Sequence, residues 1–196
     1  MFTTSEELLL RAKRGGYAVG AFNFENMEMA LATVAAAERL RAPLILQTTP
    51  STVKYASLET FTAIARSIAE KATVPVALHL DHGSTYELAE SAAKAGYTSI
   101  MIDGSKLSLD ENIALTQKVV KMAAGRVPVE AELGTVGGKE DSTVSNGTAY
   151  TDPEDAVRFV RETKCSSLAV GIGTAHGIYV GTPVLDVDRL ALIAKR

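Results

Sequence analysis

Short apolar runs alternate with longer amphipathic segments along the whole chain. The apolar runs are rich in Val, Ile and Leu, and their length and β-branched content are typical of buried strands. They lie at residues 17–23, 43–49, 76–81, 99–103, 128–133 and 167–173. Because the segments between them have helical spacing, the pattern predicts a regular alternation of strand and helix.

Capping residues mark where several of the predicted helices begin. The N-cap side chain accepts a hydrogen bond from an amide of the first turn, and a Glu three residues later or a Pro at the first helical position strengthens the signal. These signals are Thr4 with Glu7, Ser57, Ser108 with Glu111, and Asp152 with Pro153. The last segment, 186–195, is predicted to be the sixth helix of the alternation.

The helix predicted over 27–40 shows how these helices are expected to cover the strands. Its apolar positions would form a stripe against the sheet, whereas Glu38 and Arg39 would face water. The stripe consists of Met29, Leu31, Val34, Ala35 and Leu40.

Strands that are apolar on both faces and joined through helices pair in parallel, in an open doubly wound sheet or a closed barrel. No Gly-rich dinucleotide fingerprint follows the first strand, where residues 21–26 read Ala-Phe-Asn-Phe-Glu-Asn. Polar side chains occur at the end of every strand, as in a barrel whose strand ends surround one site. We therefore predict one α/β domain over residues 1–196, comprising the first six βα units of a TIM (β/α)8 barrel.

Composition and charge narrow the class of protein. Hydrophobic residues make up 46% of the chain and charged residues 22%, which is typical of a globular protein. A formal net charge of −3 with scattered basic residues argues against nucleic acid and anionic membranes as partners. The single Cys165 cannot form an internal disulfide, no secretory signal is evident, and no apolar run reaches the roughly 18 residues of a membrane span. We expect a cytoplasmic protein.

All three histidines, His79, His82 and His176, lie at predicted strand ends. Imidazole is the commonest metal ligand, and a catalytic zinc takes three protein ligands and keeps one position open. His82 and His176 are candidate metal ligands. For each histidine alone a structural role is an equally good interpretation, and for His79, inside its strand, a hydrogen-bonded structural role is the better one.

Three carboxylates accompany the histidines. Asp81 precedes His82, but strand alternation turns its side chain elsewhere, so it is a candidate acid or base; the alternative is a carboxylate that caps a loop. Glu130 and Glu132 share one face of an otherwise apolar strand, where carboxylates are costly unless they are paired or bind metal. We expect a structural salt bridge for Glu130.

A glycine-rich segment follows the fifth strand, from residue 134 to the helix that begins near 152. Structureless connections longer than about 12–15 residues are usually functional lids or disordered segments. A closing loop here would carry Glu140 to a bound substrate. The alternative is a solvated loop with incidental charge.

Four motifs, with their order and spacing, connect the chain to a known enzyme family. They read His-Leu-Asp-His at 79–82, Val-Glu-Ala-Glu-Leu-Gly at 129–134, Gly-Gly-Lys-Glu-Asp at 137–141 and Thr-Ala-His-Gly at 174–177. Together they resemble class II, zinc-dependent ketose-bisphosphate aldolases. Residues 169–178 and 183–186 look more like the tagatose-1,6-bisphosphate branch than the fructose-1,6-bisphosphate branch.

The resemblance implies a TIM barrel that reversibly cleaves a ketohexose bisphosphate into dihydroxyacetone phosphate and glyceraldehyde 3-phosphate. It implies Zn²⁺ as the cofactor, with Na⁺ or K⁺ as a candidate second ion, and no lysine Schiff base. The implied partners are a phosphorylated sugar, further copies of the chain in a homo-oligomer, and a candidate activating subunit. The implied roles by position are zinc ligation by His82 and His176, a further metal contact by Glu132, proton exchange at the C4 oxygen by Asp81 and at C1 by Glu140, phosphate binding by Gly177, and a pocket lining of Asn23 and Thr49.

The chain departs from the family pattern at its end. The third zinc-binding histidine of the family follows strand seven, and the phosphate-binding loops follow strands seven and eight. We expect a piece of a longer protein, because an open barrel would expose two strand edges and be poorly soluble or oligomeric. The alternatives are a barrel completed by association, His79 as a substitute ligand, or a catalytically inactive barrel that acts as a structural partner.

Overall fold

The computed structural model describes residues 1–140, 143–145, 150–179 and 182–196, with the backbone alone for 139, 140 and 143–145. Six parallel strands form its main sheet. They are β1 (Gly20–Asn23), β2 (Leu44–Thr48), β3 (Val76–Leu80), β4 (Ser99–Ile102), β5 (Val129–Leu133) and β8 (Ser167–Val170).

The strands stand side by side in chain order, β1-β2-β3-β4-β5-β8, and every neighbouring pair is parallel. Each observed strand lies inside its predicted run, and the largest differences are at residues 17–19, which precede β1, and at residues 171–173, which follow β8. Sequential parallel strands joined through helices are the arrangement of a TIM barrel. The prediction of six consecutive βα units of such a barrel is confirmed.

Eight helices are described, and the predicted N-caps all occur. The helices are α1 (Ser5–Gly15), α2 (Met27–Leu40), α3 (Pro50–Ala56), α4 (Leu58–Ala69), α5 (Tyr86–Ala95), α6 (Leu109–Ala123), α7 (Pro153–Thr163) and α8 (Val187–Lys195). Ser108 and Glu111 form a reciprocal capping box at the start of α6, and Asp186 caps α8. Among the described residues, no helix combines the length and the apolar character that crossing a membrane requires.

The predicted buried stripe of α2 is wrong at most positions. Its buried residues are Ala30, Val34 and Ala37, so only Val34 was placed correctly. Met29 and Leu31 are exposed by 40% and 47%. The small alanines allow the helix to pack closely on its neighbours, while the longer apolar side chains lie on its outer surface.

The two faces of the sheet have different neighbours. Leu44 and Leu46 of β2 belong to the large core between the sheet and the outer helices. Ile45 and Ala77 point to the opposite, inner face and pack against Leu8 of α1. Helix α1 therefore covers the beginning of the inner face, and the strand ends that carry the candidate site lie beyond it.

A small second sheet replaces part of the expected structureless segment. Strands β6 (Gly137–Glu140) and β7 (Thr143–Ser145) pair antiparallel, and β6 also pairs parallel with β9 (Ala175–His176). The prediction of a connection without secondary structure was therefore wrong for these residues. Gly138 has a φ of 97°, and a Cβ there would lie 2.2 Å from the carbonyl oxygen of His176. Glycine is thus required where β6 passes β9.

Candidate functional site

Three side chains of the metal-ligand type converge at the carboxyl ends of β3, β4 and β5. They are His82, Asp103 and Glu132, and one ligand atom of each lies within 4.8 Å of those of the other two. His82 Nδ1 is 2.9 Å from Asp103 Oδ2 and 3.6 Å from Glu132 Oε2. The sequence analysis assigned no role to Asp103, although it follows β4 as directly as Asp81 follows β3.

The backbone after β3 is shaped to place His82 in this cluster. His82 has a φ of 47°, a left-handed conformation that costs free energy for a residue other than glycine and is concentrated at functional sites. A Cβ on Gly83 would lie 2.1 Å from the carbonyl oxygen of Met101. Asp103 N donates a hydrogen bond to Gly83 O over 2.9 Å. The glycine therefore lets the loop lie against β4 and brings His82 beside Asp103.

The two carboxylates of the cluster have opposite electrostatic character. Burial raises the pKa of Glu132 to about 7, and the neighbouring carboxylates of Asp103, Asp81 and Glu130 add to the increase. Burial also opposes ionisation of Asp103, but hydrogen bonds from His82 and Ser105 outweigh it and lower its pKa to about 2. Glu132 is thus the carboxylate that gains most from a nearby cation.

Asp81 is held by two amide side chains from the neighbouring strands. Gln47 Nε2 donates to Asp81 Oδ2 over 2.7 Å, and Asn23 Nδ2 donates to the same oxygen over 3.2 Å. Gln47 Nε2 also donates to Asn23 Oδ1 over 2.8 Å, which closes the triangle. The other carboxylate oxygen, Oδ1, lies 4.0 Å from His82 Nε2. Asp81 therefore borders the cluster in a fixed orientation.

Gln47 is the member of this triangle to which the sequence analysis assigned no role. Its contact depends on the strand register, which the structure provides by pairing Gln47 of β2 with Asn23 of β1. Side chains of paired residues point to the same side of a sheet. An inward-facing Asn beside an inward-facing Gln indicates a buried polar network.

His176 lies next to the cluster on β9. Its ring centroid is 5.3 Å from that of His82, with an interplanar angle of 81°. The pairing of β9 with Gly138 and a hydrogen bond from Ala175 N to the hydroxyl of Tyr179, 2.8 Å long, position this segment. Gly177 follows with a left-handed φ of 77°.

The remaining two predicted site residues are Thr49 and Glu140. Thr49 is buried, and its hydroxyl caps α3 by accepting a hydrogen bond from Thr52 N over 3.4 Å. It also contacts Ser51 Oγ at 3.0 Å. The side chain of Glu140 lies outside the described part of the chain, so its predicted role stays a prediction.

His79 and Glu130 lie on the inner face, closer to α1 than the metal-ligand cluster does. His79 Nδ1 is 2.6 Å from Ser99 Oγ, and His79 Nε2 is 3.8 Å from Glu130 Oε2. His79 is buried, as the preferred structural interpretation requires. The neighbour of Glu130 is this imidazole, whose pKa burial lowers to about 4, so the ring is neutral at pH 7 and the expected salt bridge stays a prediction.

The cluster fits a divalent cation with nitrogen and oxygen preferences. One imidazole and two carboxylates are zinc ligands in many proteins, and here their atoms already converge. Burial is the main cause of the raised pKa of Glu132 and the neighbouring carboxylates add to it; a cation would favour the ionised form of Glu132 against both. With Asp81 at its border, the arrangement is able to combine charge stabilisation with proton transfer.

Comparisons with known proteins show the family of the chain. A family model described as class-II fructose-bisphosphate aldolase matches residues 3–196. A fructose-bisphosphate aldolase of Helicobacter pylori is 45% identical over 202 residues, which cover 100% of this chain and 66% of the relative. A 6-phospho-5-dehydro-2-deoxy-D-gluconate aldolase of Halalkalibacterium halodurans is 44% identical over 195 residues, covering 97% of this chain and 67% of the relative.

Solved structures give the same result. The crystal structure of the YdjI aldolase from Escherichia coli K12 superposes with a TM-score of 0.88 at 36% identity, covering 100% of this chain and 69% of that one. A structure described as a fructose-1,6-bisphosphate aldolase homologue from Coccidioides immitis has the same TM-score at 34% identity, with coverages of 96% and 68%. The chain thus spans about two thirds of the length of the relatives that it matches.

Proposed function

Because this chain belongs to the class II fructose-bisphosphate aldolase family, we propose that it carries the metal-binding and proton-transfer part of a zinc-dependent aldolase. The reaction is the reversible cleavage of a ketohexose 1,6-bisphosphate into dihydroxyacetone phosphate and glyceraldehyde 3-phosphate. One observation carries the proposal: His82, Asp103 and Glu132 converge beside an Asp81 held by two amides.

The proposed zinc ligands are His82, His176 and Glu132, and Asp103 is added to them. His82 and Glu132 belong to the convergent cluster, and the ring of His176 lies beside that of His82. When bound, zinc supplies a Lewis acid that polarises the substrate ketone and stabilises the negative charge that develops on its oxygen. Na⁺ or K⁺ is kept as a proposed second ion.

Asp81 is the proposed acid and base at the C4 oxygen of the sugar. In the cleavage direction it removes the proton of the C4 hydroxyl as the C3–C4 bond breaks, and in the condensation direction it returns that proton. The amides of Asn23 and Gln47 support this role because they hold one carboxylate oxygen and so orient the other. Glu140 is proposed to exchange the C1 proton of the dihydroxyacetone phosphate half.

The choice of sugar rests on two different arguments. The sequence of residues 169–178 and 183–186 favours D-tagatose 1,6-bisphosphate, whereas the H. pylori relative is named for fructose bisphosphate and the H. halodurans relative for 6-phospho-5-dehydro-2-deoxy-D-gluconate. We retain D-tagatose 1,6-bisphosphate as the proposed substrate and fructose 1,6-bisphosphate as the alternative. Gly177, Asn23 and Thr49 are proposed to line the substrate pocket.

The remaining proposals concern the cellular context. The phosphorylated sugar would be met in the cytoplasm, and the protein would work as a homo-oligomer, with an activating subunit as a further partner. Because the chain spans about two thirds of its relatives, a catalytically inactive barrel that acts as a structural partner is the competing function.

A cleavage assay on the purified chain tests these alternatives. We expect triose phosphate release from D-tagatose 1,6-bisphosphate to stop after treatment with a chelator and to resume with zinc. Fructose 1,6-bisphosphate and 6-phospho-5-dehydro-2-deoxy-D-gluconate serve as competing substrates in parallel. Zinc binding without turnover on any of the three sugars would favour the structural partner, and absence of zinc binding by folded protein would contradict the proposed metal site.

A further inference from the structure

A chain of polar contacts crosses the inner face of the sheet between α1 and the candidate metal cluster. Ser5 Oγ of α1 donates to Ser99 Oγ of β4 over 2.7 Å, and Ser99 Oγ lies 2.6 Å from His79 Nδ1. His79 Nε2 is 3.8 Å from Glu130 Oε2. Ser167 Oγ of β8 approaches the same carboxylate oxygen at 3.5 Å. Four strands and a helix are thus linked through one imidazole.

The polar contacts favour one position for the ring proton of His79. A serine hydroxyl has a single hydrogen and two acceptor lone pairs. Ser99 Oγ accepts from Ser5, and when its own hydrogen is donated to His79 Nδ1, the proton of a neutral imidazole is on Nε2, where it faces Glu130. The reverse arrangement, in which Nδ1–H donates to the second lone pair of Ser99 Oγ, would turn the lone pair of Nε2 toward the Glu130 carboxylate. Repulsion between that lone pair and the carboxylate favours the Nε2–H form.

Burial favours the neutral ring that this argument requires. Ser5, Ser99 and His79 are exposed by 4%, 1% and 4%. Burial lowers the pKa of His79 to about 4; the charge of Asp81 opposes this shift, and that of His82 adds to it. At neutral pH the ring therefore has a single proton, whose position depends on the contacts with Ser99 and Glu130.

We propose that His79 is a positioning residue: Ser99, which accepts from Ser5, and the Glu130 carboxylate together favour its Nε2–H tautomer, and the Nε2–H group faces Glu130 across 3.8 Å, so that Glu132 is the carboxylate of β5 offered to the metal. The second part rests on the proposed metal site, whereas the tautomer does not. Glu130 and Glu132 are two residues apart and face the same side of β5, so both are near a bound cation. The contacts from His79 and Ser167 are both made to Glu130, which leaves Glu132 for the metal.

The tautomer is measured directly on the metal-free, ¹⁵N-labelled 196-residue chain by long-range ¹H–¹⁵N correlation of the imidazole nitrogens. The chain has three histidines, and the set that disappears in His79→Gln belongs to His79. We expect a protonated Nε2 and an unprotonated Nδ1 at pH 7. Addition of saturating zinc should leave both nitrogens of His79 unchanged and should shift those of His82.

Two serine variants form a matched pair for the origin of the tautomer. Ser99→Ala removes the donor to Nδ1, so a mixture of both tautomers is expected. Ser167→Ala removes the contact on the far side of Glu130, so the Nε2–H form should persist. A protonated Nδ1 in the wild type, a doubly protonated ring at pH 7, or an unchanged tautomer in Ser99→Ala would overturn the assignment.

Two conservative replacements of His79 test the positioning role. The side-chain nitrogen of Gln reaches the place of Nε2–H, whereas the oxygen of Asn reaches only the place of the Nδ1 acceptor. We expect His79→Gln to bind zinc nearly as tightly as the wild type, and His79→Asn to bind it about tenfold more weakly, the lower end for partners that tune a metal site. Equal losses of affinity, or none, in both variants would overturn the positioning role, while the tautomer measurement would still stand.

Discussion

The central strands and the edge strands of the main sheet differ strongly in burial, and both carry residues of the candidate site. Every residue of β3 is buried, and strands β3, β4 and β5 present Asp81, His82, Asp103 and Glu132. Strand β1 is mostly exposed and β8 is only half-buried, and these edges adjoin the segments of Asn23 and His176. The metal and proton-transfer groups are therefore anchored in the best packed part of the molecule.

The difference teaches that the two histidine ligands proposed for zinc are not equivalent. His82 is placed by a strained backbone and by contact with Asp103. The segment of His176 is positioned by the pairing of β9 with β6 and by the hydrogen bond from Ala175 N to the hydroxyl of Tyr179. The four predictions that follow test this contrast between a packed centre and a less packed edge, starting with the largest expected effect.

Replacing Asp81 should have the largest effect. Asp81→Ala removes the proposed acid and base but no member of the metal cluster, so cleavage should fall about 10²- to 10⁴-fold while zinc affinity stays close to wild type. Steady-state cleavage rates and zinc titration check the two parts. Asp188→Ala, an exposed position on α8, is the control, and Asp81→Ala turning over like this control would exclude Asp81 from the mechanism.

Core truncation should show the same contrast in stability. Leu78 of β3 is fully buried, whereas Phe22 of β1 is 52% exposed. Leu78→Ala should lower the free energy of unfolding by about 2–5 kcal/mol because it leaves a cavity, and Phe22→Ala should cost much less. Denaturant unfolding of both variants measures the difference. Similar losses would mean that β1 is as firmly packed as β3.

The pH dependence of zinc binding should reflect the raised pKa of Glu132. The raised pKa of Glu132, about 7, means that zinc must displace a proton below that pH. Zinc affinity should therefore rise as the pH increases toward 7, by up to about tenfold per pH unit from this group, and should level off above it. Calorimetric titrations from pH 5.5 to 8 would detect this trend. In Glu132→Gln the contribution should vanish, and an unchanged slope would assign the proton to another group.

Helix caps should give the smallest contrast. Ser108 caps α6, which packs between β4 and β5, and Asp186 caps α8, which buries no residue. Ser108→Ala should cost about 1 kcal/mol of stability, whereas Asp186→Ala should loosen α8 with little effect on global unfolding. Thermal unfolding compares the two, and hydrogen exchange of α8 shows the local effect. Equal global losses would contradict the view that α8 is less strongly coupled to the core.

The fold could be predicted from the sequence because its signals are local and repeated. Each apolar run became a parallel strand, and each predicted cap, such as Ser57 or Asp152, is a cap in the structure. The orientation of α2 could not be predicted in this way. Hydrophobicity favoured Met29 and Leu31, but close packing on neighbouring helices selected the smaller Ala30 and Ala37.

Only part of the candidate site could be predicted from the sequence. His82, Asp81 and Glu132 were recognisable as imidazole and carboxylate groups in or directly after apolar strands, where a buried carboxylate is costly unless it is paired or binds metal. Asp103 and Gln47 have the same type of position but no distinguishing motif, and only the approach of neighbouring strands showed their contacts. The β6–β7 pair was missed because glycine-rich sequence has weak strand propensity.

The most direct test of the metal site is anomalous diffraction at the zinc absorption edge from crystals of the chain grown with zinc. The account predicts one strong peak at the carboxyl ends of β3 to β5, about 2.0–2.2 Å from a nitrogen of His82 and an oxygen of Glu132, with His79 uncoordinated. A zinc peak bound by His79, or the absence of a peak at His82 in zinc-saturated crystals, would contradict it.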